Sequence, residues 1–353
     1  EGDPFGQSSS AQGINWLWEN TLNYNKSFSG GHKLDALLGY TSQKQSNELN
    51  LVFARNFPDD QVTTVSGGIV TGGNSVQEEW SLVSALARIN YSFKERYLFT
   101  GTIRSDRSSR FGSDNQTGIF PSASVGWRIG NEPFMDGFDA LNELKLRASY
   151  GVTGNFEIPN YGAIGLLQSS NYILDNQIVN GIVPQTLTNR NLSWESTTSF
   201  DIGLDFAFLQ DRIYGTFDYY RNLTTDLLLF VSTPASSGFQ TALTNIGEVE
   251  NRGFEASFTS RNLVGDFKWE TDFNFSANTN EVLALGPDAD EIPARGAAGV
   301  RHITQVGHPI GSYYGYVTDG IYQSQEEIDN APFDTQAPDP APGDIRFKDV
   351  DGD

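Results

Sequence analysis

The 353-residue sequence has no cysteine, three histidines and one methionine. Without cysteine there is no disulfide framework, thiolate nucleophile or zinc–thiolate site. His32, His302 and His308 form neither a His-x-x-x-His pair nor an HExxH, so zinc-site spacing is missing too. Basic residues are scarce: 23 Lys and Arg stand against 44 Asp and Glu, a formal net charge of −21. That balance argues against nucleic acid and against charge-driven binding to anionic lipid. About half of the excess lies beyond residue 280, where a solvated acidic loop is the plainest reading. No run of about 18 apolar residues exists, so no segment reads as a transmembrane helix. No leader of charged then apolar residues is visible. No G-x-S-x-G elbow, P-loop or helix-opening G-x-G-x-x-G occurs, and among so many carboxylates no glycosidase pair stands out. Nothing supports catalysis, and the chain reads as no enzyme.

What is present is aromatic side chains, 12% of the sequence, arranged with a period of two. In FKWETDFNFSANTN, Phe267, Trp269, Thr271, Phe273, Phe275 and Ala277 share one parity. Lys268, Glu270, Asp272, Asn274, Ser276 and Asn278 share the other. Successive side chains of a strand point to opposite faces, so one face is aromatic and the other charged. The same alternation runs through 119–130, 142–151 and 195–208. Strands are expected near 15–28, 33–46, 79–94, 97–108, 119–130, 142–151, 195–208, 212–225, 250–261 and 265–280.

Alternation alone suits either a soluble sandwich or a membrane barrel. Strand length and connection length separate the two. Several segments exceed the 5–6 residues of an average soluble strand and reach the roughly 9–11 that a tilted membrane strand needs. Connections alternate between short (FSGGHK, FKERY, LQDR, NLVGD) and long, near 47–78, 152–194, 225–249 and 281–353. The 108–118 link is intermediate, and GNEPFMDGFDA is a longer turn on the short side. Barrels of the outer membrane sort their loops in this way. Lipid is therefore expected on the Phe/Trp face and a watery lumen on the other. Trp16, Trp18, Trp80, Trp194 and Trp269 lie near expected strand ends, as in an interfacial aromatic girdle. The competing reading is a secreted, soluble β-sandwich that binds glycan at aromatic loops.

Several stretches carry a resemblance to a known family: SSRFG, FPSASVGWRIGNEPFM, LKLRASYGVTGN, DFAFLQDRIYGTFDYYRNLTTDLLL, NIGEVENRGFEASF, IGSYYGYVTDGIYQSQEEI and PGDIRFKDVDGD. In order and spacing they resemble the SusC/RagA family of TonB-linked outer-membrane transporters of the Bacteroidota. The resemblance implies an all-β fold, about ten antiparallel strands of a 22-stranded transmembrane barrel. It implies uptake of oligosaccharides or peptides with a SusD/RagB-like surface lipoprotein as lid. Energy would come from the TonB–ExbB–ExbD system, through a plug region that has no counterpart in these stretches. Starting at Glu1 without Met and stopping at Asp353 within a motif, the chain reads as a fragment.

Three groups of residues are candidates for contact. Asp349, Asp351 and Asp353 stand at i, i+2 and i+4, as do the first ligands of an EF-hand-like calcium loop. A polar turn in an acidic loop is the plainer reading, with calcium the alternative expectation, and no other cofactor is indicated. Tyr161, Tyr172, Tyr313, Tyr314 and Tyr316 lie in long loops, where aromatic faces stack on sugars or on one another. Lys145, Arg147, Asp201, Asp205, Lys268, Glu270 and Asp272 would face the lumen, touching plug or solute. Their mixed signs suit hydrogen bonding better than ion selection.

Overall fold

The computed structural model describes residues 4–59, 61–286, 290–295, 301–332 and 339–348. The strands, in chain order, are β1 (Phe5–Phe28), β2 (His32–Arg55), β3 (Ile69–Phe93), β4 (Tyr97–Ser108), β5 (Thr117–Arg128), β6 (Leu141–Asn155), β7 (Leu167–Leu174), β8 (Gln177–Pro184), β9 (Glu195–Phe208) and β10 (Ile213–Thr225). They continue as β11 (Leu228–Ser232), β12 (Thr241–Asn245), β13 (Glu248–Val264), β14 (Lys268–Ala284), β15 (Glu291–Arg295), β16 (Arg301–Gln305), β17 (Ser312–Tyr313), β18 (Thr318–Ile321) and β19 (Ile345–Phe347). One five-residue helix spans Gln325–Asp329.

Ten of these strands form one sheet in the order β1-β2-β3-β4-β5-β6-β9-β10-β13-β14. Every neighbour is antiparallel, so the sheet is a meander. The ten expected strands are all present. The remaining strands build small hairpins inside the long connections: β7 with β8, β11 with β12, β15 with β16 and β17, and β18 with β19.

The register keeps the two faces apart. Leu34, Tyr91, Phe99, Val125, Ala148, Ile202, Tyr219, Phe254 and Ala277 stand side by side on successive strands from β2 to β14. Three residues along, Arg128, Lys145, Asp205, Thr216, Ser257 and Asn274 form a matching row on the opposite face. A slip of one residue in any strand would put its charges into the aromatic face. Phe254 and Phe275 stay 60% and 53% exposed, and no second sheet covers the aromatic face among the described residues. A sandwich would bury those rings, so the soluble-sandwich reading is set aside.

Strands β1, β2 and β3 run 24, 24 and 25 residues, far beyond the expected 15–28, 33–46 and 79–94. Much of the 47–78 segment, expected as loop, is therefore strand. The reason is chemical. GQSSSAQG, QSNELN and GGNSVQ are polar at both parities, so no face-specific signal marks them. A 24-residue strand rises roughly 80 Å, so this three-stranded ribbon continues well past the apolar band.

The short turns are tight and use left-handed backbone: Gly30 and Gly31, then Lys94 and Glu95, then Leu209, Gln210 and Asp211 all have positive φ. The β5–β6 connection is different. Two 3-10 turns, Ile129–Asn131 and Pro133–Met135, fold it back toward the aromatic face. Trp127 donates its indole N–H to Glu132 Oε1 at 2.9 Å, and Arg96 Nη1 lies 3.5 Å from the same carboxylate. The Trp127 indole, together with the Tyr97 hydroxyl, holds the buried Glu132 carboxyl below the usual carboxylate range.

The principal core lies not beneath the sheet but at the base of the long connections. Phe111, Phe120, Ile158, Ala163, Leu192 and Trp194 are buried together there. Trp194 packs 5.0 Å from Phe111 and 5.2 Å from Phe120, ring centre to ring centre, and its indole N–H donates to the Gln116 carbonyl at 3.1 Å. Arg110 places its guanidinium 4.9 Å from the Trp80 ring centre and 5.3 Å from that of Phe156. Trp80 and Trp194 thus belong to this loop core rather than to a girdle, because bonding and packing partners from the connections reach them first. Trp127, absent from the expected girdle, takes a place at the short-turn rim of the aromatic face.

Gly154 lies against the Phe120 ring; a Cβ there would sit 2.1 Å from Phe120 Cζ. Gly154→Ala is expected to destabilise the loop base by about 1–3 kcal/mol, the usual cost of overpacking. Limited proteolysis of the 156–194 connection should accelerate, and adding Phe120→Leu should restore protection.

Candidate functional site

The polar face carries a network of ion pairs centred on β6, β9 and β10. Arg147 is its hub. Its Nε lies 3.0 Å from Asp205 Oδ1, its Nη1 lies 3.3 Å from Asp201 Oδ1, and its Nη2 donates to Asp218. Lys145 Nζ donates to the other oxygen of Asp205 at 3.0 Å. The pleat explains the convergence. Lys145 faces Asp205 in register, while Arg147 faces Gly203, which in turn faces Asp218. Gly203 has no side chain, so the guanidinium lies flat across β9 and reaches the next strand. A Cβ at Gly203 would meet Asp218 Oδ1 at 2.4 Å and Arg147 Cζ at 2.5 Å. A planar guanidinium with several donors suits this bridging, whereas an ammonium would not span it.

Four expected lumen residues, Lys145, Arg147, Asp201 and Asp205, are thus brought together. Lys268, Glu270 and Asp272 share the face but stand apart on β14. Glu270 pairs with Arg261 at 3.2 Å, and Asp272 accepts from the Thr259 hydroxyl at 2.6 Å. Lys268 sits opposite Val264 at the strand's start. Asp218 and Gly203 were missed in the sequence reading. Counting in twos from the LQDR turn puts Asp218 on the polar parity of GTFDYYRN, so a signal existed. For Gly203 none did, since only the Arg147–Asp218 contact explains it.

A second polar group sits nearer the loops. Arg104 Nε bonds both oxygens of Asp106 at 2.7 and 2.8 Å, and its Nη2 donates to the buried Ser84 hydroxyl at 3.0 Å. On β10 and β13, Arg221 Nε donates to the buried Glu250 at 2.7 Å, with Arg252 Nη1 3.3 Å from that carboxylate.

The tyrosines separate into two kinds. Tyr161 is structural: it has a left-handed φ of 64°, and its hydroxyl accepts the Glu79 backbone N–H at 3.1 Å. Beside it, Asn160 Nδ2 donates to Glu78 at 3.0 Å, tying this connection to β3. Tyr172 is exposed on the β7–β8 hairpin. Tyr313 is 85% exposed beside the His302 ring, Tyr314 is exposed, and Tyr316 packs 5.1 Å from Phe347. Asp349, Asp351 and Asp353 lie outside the described residues. No group of three His, Asp or Glu side chains suited to a metal occurs among the described residues.

Arg147→Met strands three carboxylates beside Lys145. It is expected to lower folding stability by about 2 kcal/mol, in the range for lost charged hydrogen bonds. Gly203→Ala should displace the same guanidinium. In urea titrations the two changes should therefore be less than additive; full additivity would mean that Gly203 has another role.

The geometry has known counterparts. Residues 2–342 match the family model described as TonB dependent receptor-like, beta-barrel. TonB-dependent receptor P3 of Formosa agariphila is 40% identical over 347 residues, which are 96% of this chain and 34% of that protein. TonB-dependent receptor SusC of Bacteroides thetaiotaomicron is 38% identical over 254 residues, 67% of this chain and 25% of that protein. Among solved structures, that of the RagAB peptide transporter superposes with a TM-score of 0.82 at 27% identity, covering 90% of this chain and 35% of that one. The chain therefore spans about a third of the length of the first of these relatives. A ten-stranded antiparallel meander with one aromatic and one polar face, matched over nearly its whole length, belongs to the TonB-dependent receptor β-barrel family of the outer membrane.

Proposed function

We propose that this chain forms part of the barrel wall of a TonB-linked importer that carries oligosaccharides or peptides across the outer membrane. The observation that supports this best is the apolar row carried side by side across nine strands, β2 to β14, with polar and charged residues on the opposite face, combined with the family match. A sheet with exposed rings on one side and ion pairs on the other suits lipid outside and water inside. In this reading Lys145, Arg147, Asp201, Asp205, Asp218, Lys268, Glu270 and Asp272 border the lumen. Their mixed signs, with Arg147 and Lys145 bridging Asp201, Asp205 and Asp218, make this wall a hydrogen-bonding surface suited to a polar solute or a plug rather than an ion-selective one. The long connections and the β1–β3 ribbon stand on the outer side, where Tyr172, Tyr313 and Tyr314 offer open aromatic faces to solute or to a SusD/RagB-like lipoprotein. Energy would come from the TonB–ExbB–ExbD system. The chain has a transport role in this reading and no enzymatic one.

The test is uptake by cells carrying the intact gene or a deletion, with labelled oligosaccharides and labelled peptides offered in parallel. Deletion should abolish uptake of one class, and an uncoupler should do the same in the intact strain. Unchanged uptake of both classes would overturn the importer reading. In the membrane, Phe275→Arg should cost the barrel about 2–4 kcal/mol near mid-bilayer, whereas Ser276→Arg on the polar face should cost far less. Equal effects would show that the aromatic face does not meet lipid.

A further inference from the structure

The longest of the short-side connections, between β5 and β6, does not behave as a solvated turn. It exposes two phenyl rings: Phe134 is 62% and Phe138 is 63% exposed. Its backbone is nonetheless closely ordered. Glu132 N donates to the Ile129 carbonyl at 3.0 Å, Met135 N to Glu132 at 2.9 Å, Phe138 N to Met135 at 2.9 Å and Leu141 N to Phe138 at 2.9 Å. A Cβ at Gly130 would lie 3.1 Å from Leu144 N, so the turn packs directly on the backbone of β6. The backbone is thus held in a conformation that leaves both rings exposed.

The side on which it is held is the informative point. Trp127 and Tyr97 both belong to the aromatic face, paired with one another in register. Of the two, Trp127 donates its indole N–H to Glu132 at 2.9 Å. The carboxylate therefore anchors the turn to the lipid side of the rim rather than to the lumen side. Phe93 and Tyr97 stack at 6.2 Å beside it, and Lys94 Nζ lies 5.2 Å from the Phe93 ring centre. Phe134 and Phe138 follow Glu132 in the same connection, next to a rim that already includes Tyr97 and Trp127. Asp136 and Asp139 alternate with the rings along the turn, which suits the headgroup level rather than the acyl interior.

We infer that residues 129–139 are an interfacial foot, which docks Phe134 and Phe138 into the phospholipid leaflet on the short-turn side, with Glu132 as the residue that positions it. The inference rests on the strands spanning a bilayer and goes beyond it. The partner is the phospholipid surface itself, and the patch is continuous with the face that the strands already present to lipid. Such an anchor outside the strands would fix the height of the barrel in the membrane.

The experiment uses the intact transporter in phosphatidylethanolamine–phosphatidylglycerol vesicles, with any other cysteines replaced by serine. An environment-sensitive fluorophore is attached at Phe134→Cys or, separately, at Phe275→Cys. Quenching is compared between iodide on both sides of the membrane and lipids carrying a nitroxide near the headgroup. The foot predicts at least several-fold stronger quenching by the nitroxide lipid than by iodide at Phe134. Strong iodide quenching at Phe134, with lipid quenching retained at Phe275, would overturn the foot and leave the spanning sheet intact. Iodide quenching at both positions would overturn the spanning sheet and the foot together. Glu132→Ala should shift the Phe134 label from lipid to iodide while leaving the Phe275 label unchanged; no shift would remove Glu132 from the positioning role. If heat-modifiable gel mobility shows that this variant does not fold, Trp127→Phe, which removes the indole donor, serves the same comparison.

Discussion

The structure depends on one constraint: backbone polar groups that meet lipid must be paired within the protein. A continuous antiparallel meander satisfies it, because each interior strand gives its hydrogen bonds to both neighbours. Once the ladder is fixed, the pleat sends alternate side chains to opposite solvents. The aromatic row from Leu34 to Ala277 and the polar row from Arg128 to Asn274 are two consequences of the same register. The tight left-handed turns at Gly30–Gly31 and Leu209–Asp211 preserve that register from strand to strand.

With the apolar face committed outward, the sheet has no hydrophobic core of its own to stiffen it. Two devices replace it. On the polar face, Arg147 spans β6, β9 and β10 through Gly203 and binds three carboxylates. These charges are only half-buried, so their value lies as much in fixing the alignment of strands as in stability. At the loop end, Trp194, Phe111 and Phe120 gather the connections into a compact base, and Arg110 ties it to Trp80 and Phe156. The open hairpins above are thereby held on a rigid platform, the usual setting for contact loops.

The parts of this design differ in how far they can be read from the chain. Strands with one polar and one aromatic face were legible at 119–130, 142–151, 195–208 and 265–280, because burial in lipid imposes a strict period of two. The outer halves of β1, β2 and β3 were not, because water on both sides imposes no period. Lys145, Arg147, Asp201 and Asp205 could be placed on one face by parity. Their closure around Arg147 could not, since it depends on Gly203 being aligned between Arg147 and Asp218. Tyr161 looked like an open loop aromatic and proved to be a bonded strut.

By itself, then, the sequence determined the fold class, the division into an aromatic and a polar face and the family, because these follow from periodicity and from the order of motifs along the chain. Only the tertiary structure decided which charges pair, which tryptophans leave the rim for the loop core, and which way the Glu132 turn folds. Those outcomes depend on contacts between residues far apart in sequence, whose distances the pleat and the register set only once the strands have been laid side by side.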